Sequence, residues 1–332
     1  MTGPSRPATT VRRRLTAALV AALALVATAC SGQSGDTGPG DPAGVTLNFG
    51  DQAGQQQALL EASGVLAGTP YTVQFSQFPA AAPLLEALRG EAVDIGIAGD
   101  APTLNALAAS DNLSIVAATR SPAAGGLAIV VPADSPIRTA ADLRGKRVSP
   151  TTQGSIGHYL LLQALKQAGI PPTDVGISFL QPVDAAAALR SGAIDAWSTW
   201  DPYTAVAQQD SGARIIRDNA GLSPGLSFLD ANADSLADPD KRAAMADFVG
   251  RYNRAMDWAR ANPDKNTALY AQLTKRSPEV AGIVARRAER QGVDLTPQVV
   301  GELQTVADNL RSFGVLRRPV TVSDRVQPLR TG

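Results

Sequence analysis

Short apolar runs alternate with amphipathic stretches along most of the chain, and from residue 45 the rhythm is strand, helix, strand. Val45–Gly50 (VTLNFG) reads as a strand closed by glycine, with a loop over 51–54 and a helix from Gln55 to Ser63. Tyr71–Gln77 alternates as a strand, Ala80–Arg89 has helical spacing, and Val93–Ala98 (VDIGIA) is apolar enough for a buried strand. Gly99-Asp100-Ala101-Pro102 opens another helix, with Asp100 as candidate N-cap and proline in the first turn. Leu113–Thr119 is a further strand.

A second series follows. Gly126–Pro132 (GLAIVVP) is a strongly apolar strand, and a helix from Ser155 to Ala168 starts at a serine N-cap after SPTTQGS. Val175–Leu180 is a strand, Pro182–Arg190 a helix, Ala193–Trp197 a strand, Ser198–Gln209 a turn and helix, and Ala213–Arg217 the last strand of the series. The chain returns through Gly225–Leu229 and becomes almost wholly helical: Asp240–Asn262, Pro263–Leu273, Pro278–Gln291 and Thr296–Phe313. Strand–helix alternation predicts parallel sheets with helices on both faces, and the terminal helices are expected to close the outside of the first lobe. Ligands of such sheets bind beyond the carboxyl ends of the strands.

Two stretches echo each other. Ala87–Pro102 (ALRGEAVDIGIAGDAP) and Ala188–Tyr203 (ALRSGAIDAWSTWDPY) agree at Ala, Leu, Arg, Ala, Asp and a final Asp, with Val93 opposite Ile194. Each is a helix end, a turn, a short apolar strand and an aspartate at the next helix start. Two lobes of similar build, each offering a strand end and a helix N-terminus to a shared cleft, are the economical reading. Crossings near 125–127 and 223–229 would form a hinge.

The N-terminus changes the picture. Arg12-Arg13-Arg14 precede an apolar run over Leu15–Ala29, and small residues lead into Cys30, as in an export signal. Val26-Ala27-Thr28-Ala29-Cys30 resembles a bacterial lipobox, with Ala27 where leucine is usual. Cys30, the one cysteine of the chain, is the expected lipidation site, and the arginine run leaves both the general secretory and the twin-arginine routes open. Residues 31–44 (SGQSGDTGPGDPAG) form a Gly/Ser/Asp tether. The organisation expected is a signal over 1–29, a tether over 30–44, a first lobe from 45–125 and 226–332, and a second lobe over 126–225. The location is extracytoplasmic, anchored to the membrane through Cys30.

Composition mainly excludes. With 30 Lys+Arg against 30 Asp+Glu there is no basic surplus for nucleic acid. One cysteine and one histidine, His158, exclude multi-cysteine and multi-histidine metal sites, and a Ser-His-Asp triad would depend wholly on that histidine. Neither GxGxxG nor GxxxxGK[ST] occurs, so no nucleotide site is expected, and no cofactor. Two helix N-termini remain, at 100–103 and 155–158. They could receive an oxyanion without lysine or arginine.

Several motifs together resemble the aliphatic sulfonate-binding proteins, the extracytoplasmic solute receptors of ABC importers within the wider sulfonate, nitrate and taurine group. They are the cysteine-anchored signal, Asp94-Ile95-Gly96 with Gly99-Asp100-Ala101-Pro102, Leu143–Val148 (LRGKRV), Gly154-Ser155 with His158–Leu161, Pro182–Ala185, Asp195-Ala196-Trp197 and Trp200-Asp201-Pro202-Tyr203. The likeness runs from about Val45 to Ala231; the DAW and WDPY elements are its most specific parts. It implies a two-lobed α/β periplasmic-binding-protein-like fold of type II, a monomer that closes on a small anionic ligand and hands it to a membrane permease. Carried over position by position, ligand contacts fall on Gln52 and Gln55 after the first strand and on Gly99, Asp100 and Ala101 at one helix start. Gln153, Gly154 and Ser155 follow at the second-lobe helix start, then Trp197 and Asp201. The first loop, DQAGQQQ, lacks the Gln-Lys pair common in that position.

Of the two neighbouring tryptophans, Trp197 rather than Trp200 is assigned to the cleft wall. Asp201 serves as a helix cap or as the partner of an ammonium substituent on the ligand. His158 and Arg120 are weaker candidates, which pack or face solvent equally well. The same receptor could take nitrate, taurine, a pyrimidine precursor or an aromatic acid. An enzyme on this fold, such as a desulfinase, would want a cleft cysteine, and the sole cysteine belongs to the signal.

Overall fold

The computed structural model describes residues 40–329; the expected signal and Cys30 lie outside the described residues. The first series runs β1 (Thr46–Gln52), α1 (Gln55–Ser63), β2 (Thr72–Phe78), α2 (Ala81–Arg89), β3 (Ile95–Gly99), α3 (Asp100–Ala109) and β4 (Leu113–Arg120). The second runs β5 (Leu127–Val131), β6 (Arg147–Ser149), α4 (Ile156–Gln167), β7 (Gly176–Ile177), α5 (Pro182–Arg190), β8 (Ala196–Trp200), α6 (Tyr203–Ser211) and β9 (Arg214–Asp218). The remainder is β10 (Leu226–Asn232), α7 (Ala233–Ala237), α8 (Pro239–Ala261), α9 (Pro263–Thr274), α10 (Pro278–Arg287), β11 (Gln291–Val293) and α11 (Pro297–Ser312).

These elements form two sheets, ordered β11-β4-β10-β3-β1-β2 and β7-β6-β8-β5-β9. The architecture is a two-lobed α/β fold. The chain passes between the sheets twice, through residues 121–126 and 219–225. Both sheets are mixed, where the sequence pattern predicted parallel ones. β10 pairs antiparallel with β3 and β4, and β5 pairs antiparallel with β8 and β9. Each of these strands enters its sheet straight from the other lobe. No crossover helix turns the chain round, so it enters in the opposite sense.

The two sheets repeat one plan. In the first sheet β1 lies between β2 and β3 and the reverse strand β10 separates β3 from β4; in the second β6 lies between β7 and β8 and the reverse strand β5 separates β8 from β9. The echoing stretches of sequence occupy equivalent places, α2–β3–α3 and α5–β8–α6. Both end at the same rim.

Packing fixes the faces. Phe49, Ile97 and Leu229 of the first sheet bury against Phe248, Tyr252 and Met256 of α8, and the opposite face packs α2, α3 and α11. In the second sheet Ile129, Val148 and Ala196 meet Leu160, Leu161 and Leu165 of α4, while Val130 and Trp197 lie under α5 and α6. Two contacts depart from the expected arrangement. Tyr159 and Leu162 of α4 join the apolar cluster of the first lobe, and Ala205 of α6 packs with Tyr270, Val280 and Val284 of α9 and α10. The terminal helices therefore reach the second lobe as well as the first. The helix expected over Pro278–Gln291 ends at Arg287, and Gln291–Val293 instead pairs with β4 as a strand the sequence pattern did not give.

Candidate functional site

The strand ends of both sheets converge on a cleft with an outer chamber of about 160 Å³ and a deeper one of about 130 Å³. The chambers share Gln55, Gly99, Ile156, Trp200, Asp201 and Arg290, so they are continuous. The floor comes from the first lobe and the roof from the second. The lobes meet at two glycines. A side-chain carbon on Gly99 would stand 2.5 Å from Cγ2 of Ile156, and one on Gly154 2.9 Å from the side chain of Asn105. Only residues without Cβ admit this approach, and Gly154 also has φ +76°.

The α4 end of the cleft is built by local hydrogen bonds. Ser155 Oγ accepts the amide of His158 at 3.1 Å, and Gly154 N donates to His158 Nδ1 at 3.1 Å. Burial holds the imidazole down at about 4, so it is a neutral acceptor near pH 7. The first amides of α4, those of Ile156 and Gly157, have no partner within the helix. At α1 the equivalent end is already occupied: the buried Asp51 carboxylate accepts the amides of Gln56 and Gln57 at 3.1 and 2.9 Å. Thr151, with φ +71° and a buried hydroxyl lacking a partner, puts a β-branched residue in a strained conformation just before α4.

Of the residues expected to contact ligand, Gln52, Gln55, Gly99, Gln153, Gly154, Ser155 and Asp201 line the outer chamber, and Asp100 lines the deeper one. Gln52 is tethered, donating through Nε2 to Ile97 O at 2.8 Å. Asp100 is the first residue of α3 rather than its N-cap, which is Gly99. Its carboxylate accepts the amide of Ala101 at 2.7 Å and the hydroxyl of Ser223 at 3.2 Å. Burial pushes its pKa up to about 6.

Two assignments are corrected. Ala101 is fully buried within the first-lobe core and does not reach the cleft. Trp197 is 1% exposed and packs with Leu189, Ile194 and Ala207; Trp200 lines the cleft instead. The reason is register: Val148 pairs with Ala196 and Ser149 with Trp197, which turns Trp197 to the α5–α6 face and leaves Trp200 at the strand's end. Of the weaker candidates, His158 is spent on Gly154, and Arg120 donates to Pro224 O and pairs with Glu302 at 2.6 Å.

Arg290 was not foreseen. It lies just before β11, lines both chambers, and its buried Nη1 has no hydrogen-bond partner. Its only sequence signal is the helix-breaking glycine two residues later. Asp201 is its counterpart. Asp201 Oδ1 accepts the amide of Ala205 at 3.0 Å, Oδ2 has no hydrogen-bond partner, and Arg287 Nη1 stands 3.7 Å away. Burial pushes the Asp201 carboxyl up to about 7 against the pull of Arg287 and the Ala205 amide. Among the described residues no cluster of His, Cys, Asp and Glu could hold a metal ion.

With this geometry in view, comparison with known proteins decides the family. Residues 64–216 match the model of the ABC-transporter phosphonate, periplasmic substrate-binding protein family. The putative aliphatic sulfonates-binding protein of Escherichia coli (strain K12) is 31% identical over 284 residues, covering 84% of this chain and 88% of that one. The chain belongs to the aliphatic sulfonate-binding protein family. The alkanesulfonate-binding protein SsuA of Xanthomonas axonopodis pv. citri, solved bound to MOPS, superposes with a TM-score of 0.79 at 29% identity, over 86% of this chain and 99% of that one. The periplasmic aliphatic sulphonate-binding protein SsuA of Escherichia coli gives 0.74 at 29% identity, over 86% and 93%. The matched family model and the Escherichia coli SsuA structure are named as periplasmic binding proteins, so the family is one of extracytoplasmic receptors.

Proposed function

We propose that this family member is the solute receptor of an ABC importer and captures a small organosulfonate between its lobes. The observation that carries the reading is Arg290: a guanidinium nitrogen buried without a partner, in a cleft that also faces the first turn of α4. A buried guanidinium nitrogen of this kind is completed by an oxyanion, and guanidinium suits one with several equivalent oxygens. Charge favours sulfonate over phosphonate. Asp100 and Asp201 sit in the cleft beside Arg287 and Arg290, so no cationic surplus is available for a dianion.

The 121–126 and 219–225 connections would act as the hinge, and the closed form is the one presented to a membrane permease. The receptor acts as a monomer, held outside the membrane by a lipid on Cys30, and catalyses nothing. The chain's one cysteine, Cys30, belongs to the expected export signal.

Thermal-shift measurements followed by calorimetric titration test this against alkanesulfonates, sulfate, nitrate and methylphosphonate. A ligand that binds only the folded state raises its melting temperature. Sulfonates should stabilise the protein, methylphosphonate and nitrate should not, and Arg290→Gln should lower sulfonate affinity by about 1.5–3 kcal/mol. An unchanged Kd in that variant would place the anion elsewhere.

A further inference from the structure

We propose that Tyr159 is a positioning residue for capture: it latches the second lobe into the first at Asn309 of α11, and so holds the first turn of α4 over the cleft. The inference rests on the receptor reading above and goes beyond it, because Tyr159 lies outside the cleft.

α4 belongs to the second lobe, where Leu160, Leu161 and Leu165 moor it to β5, β6 and β8. A helix that served one lobe alone would turn its remaining face to water. In α4 that face carries a second stripe, Tyr159, Leu162, Gln163 and Lys166, at spacings i, i+3, i+4 and i+7. Tyr159 and Leu162 are buried in the apolar cluster that the first sheet builds with α3 and α11. The Tyr159 hydroxyl accepts Asn309 Nδ2 at 3.3 Å and Gln163 Nε2 at 2.6 Å. Two turns on, Lys166 Nζ donates to Asn309 Oδ1 at 3.5 Å and stands 5.7 Å from the centre of the Phe313 ring.

Opening the cleft must undo this contact. The 121–126 and 219–225 connections border the deeper chamber through Ser121, Ala123, Asn219 and Ser223. A swing about them carries α4 away with its own sheet and draws the Tyr159 ring into water. The ring therefore favours the closed form alone, by the apolar surface it buries and by the Asn309 hydrogen bond. It also lies one turn beyond the cleft-facing amides of Ile156 and Gly157, its own amide donating to Ser155 O at 3.0 Å. Seating the ring seats those amides. Tyr159, Leu162 and Asn309 line neither chamber, so their effect on affinity passes through the lobes and is the same for every ligand.

Tyr159→Ala, Tyr159→Phe and Asn309→Ala in the full chain test the latch. Each is melted without ligand and followed by stopped-flow and calorimetric titration with ethanesulfonate and with propanesulfonate. Tyr159→Ala should melt within about 2 °C of the parent when ligand-free, because the ring is not engaged in the open form. It should bind both sulfonates at least about tenfold more weakly, by one common factor and through faster dissociation. Tyr159→Phe, which keeps the ring, should recover affinity to within about threefold, and Asn309→Ala should lose about threefold. A ligand-free melting temperature about 5 °C or more lower in Tyr159→Ala overturns the proposal, whatever the affinity, because a permanent core residue behaves so. Unchanged affinity in Tyr159→Ala overturns it too, as do different factors for the two sulfonates; all three results leave the receptor standing. Failure of the parent protein to bind any sulfonate overturns the receptor reading and the latch with it.

Discussion

Asp94 and Asp195 make the same reciprocal pair of hydrogen bonds in the two lobes. The Asp94 carboxylate accepts the amide of Asn48 at 2.7 Å while its own amide donates to Asn48 O at 2.9 Å. The Asp195 carboxylate accepts the amide of Arg147 at 2.8 Å, and its amide donates to Arg147 O at 2.7 Å. Asp94 locks β3 to β1 and Asp195 locks β8 to β6, which fixes where Asp100 and Asp201 emerge six residues later.

The equivalence is geometric, and the energies should differ. Asp94 is buried and also accepts Ser235 Oγ and Lys241 Nζ, so Asp94→Ala leaves the Asn48 amide and the buried Ser235 hydroxyl unpaired, while the one-third-exposed Lys241 turns to water. Its cost should be about 2–4 kcal/mol. Asp195 and Arg147 are 29% and 54% exposed, and Asp195→Ala should cost only about 1 kcal/mol. Urea unfolding of the two variants checks the ranking.

Closure depends on the approach of Gly154 to Asn105. Gly154→Val adds a branched side chain where even a single carbon would stand 2.9 Å from Asn105, at a φ of +76° that valine resists. The variant should fold, stay more open in small-angle scattering with ligand present, and lose at least about tenfold in affinity. Retained affinity with full compaction would show that this contact does not limit closure.

The two tryptophans should separate by spectroscopy. Trp200 lines the cleft, so a bound sulfonate should change the intrinsic fluorescence, and Trp200→Phe should abolish the change. Trp197→Phe should preserve the ligand response and cost less than about 2 kcal/mol, since it removes a buried indole N–H that has no partner.

Stability of the free protein should fall as pH rises from about 4 to about 7. Asp100 and Asp201 start from an ordinary value of 3.8 and are raised by burial to about 6 and about 7. Over that window the folded state holds more protons than the unfolded chain, so each unit of pH destabilises it, and above about 7 the penalty is constant. His158 works in the opposite sense: lowered from 6.5 to about 4, it stays neutral when folded and adds stability as pH rises between those values. Asp201→Asn should flatten the fall in melting temperature between pH 4 and pH 7. A wild-type profile that rises throughout would contradict the assignment.

Much of this was written in local sequence. The 3.6 and 2.0 periodicities located most of the helices and strands but not β6, β10, α7 or β11, because amphipathic segments long enough to show a period must turn one face inward. The echo between Ala87–Pro102 and Ala188–Tyr203 marked equivalent elements of the two sheets, and Gly154-Ser155 announced the start of α4. What local sequence could not contain is partnership. The direction of β5 and β10 followed from entry out of the opposite lobe, and the choice between Trp197 and Trp200 from strand register. Arg290 reaches the cleft because β11 pairs with β4, far away in the chain. Buried polar atoms without partners arise when remote segments exclude water together, so it was the tertiary structure alone that brought Arg290 and Asp201 to one cleft.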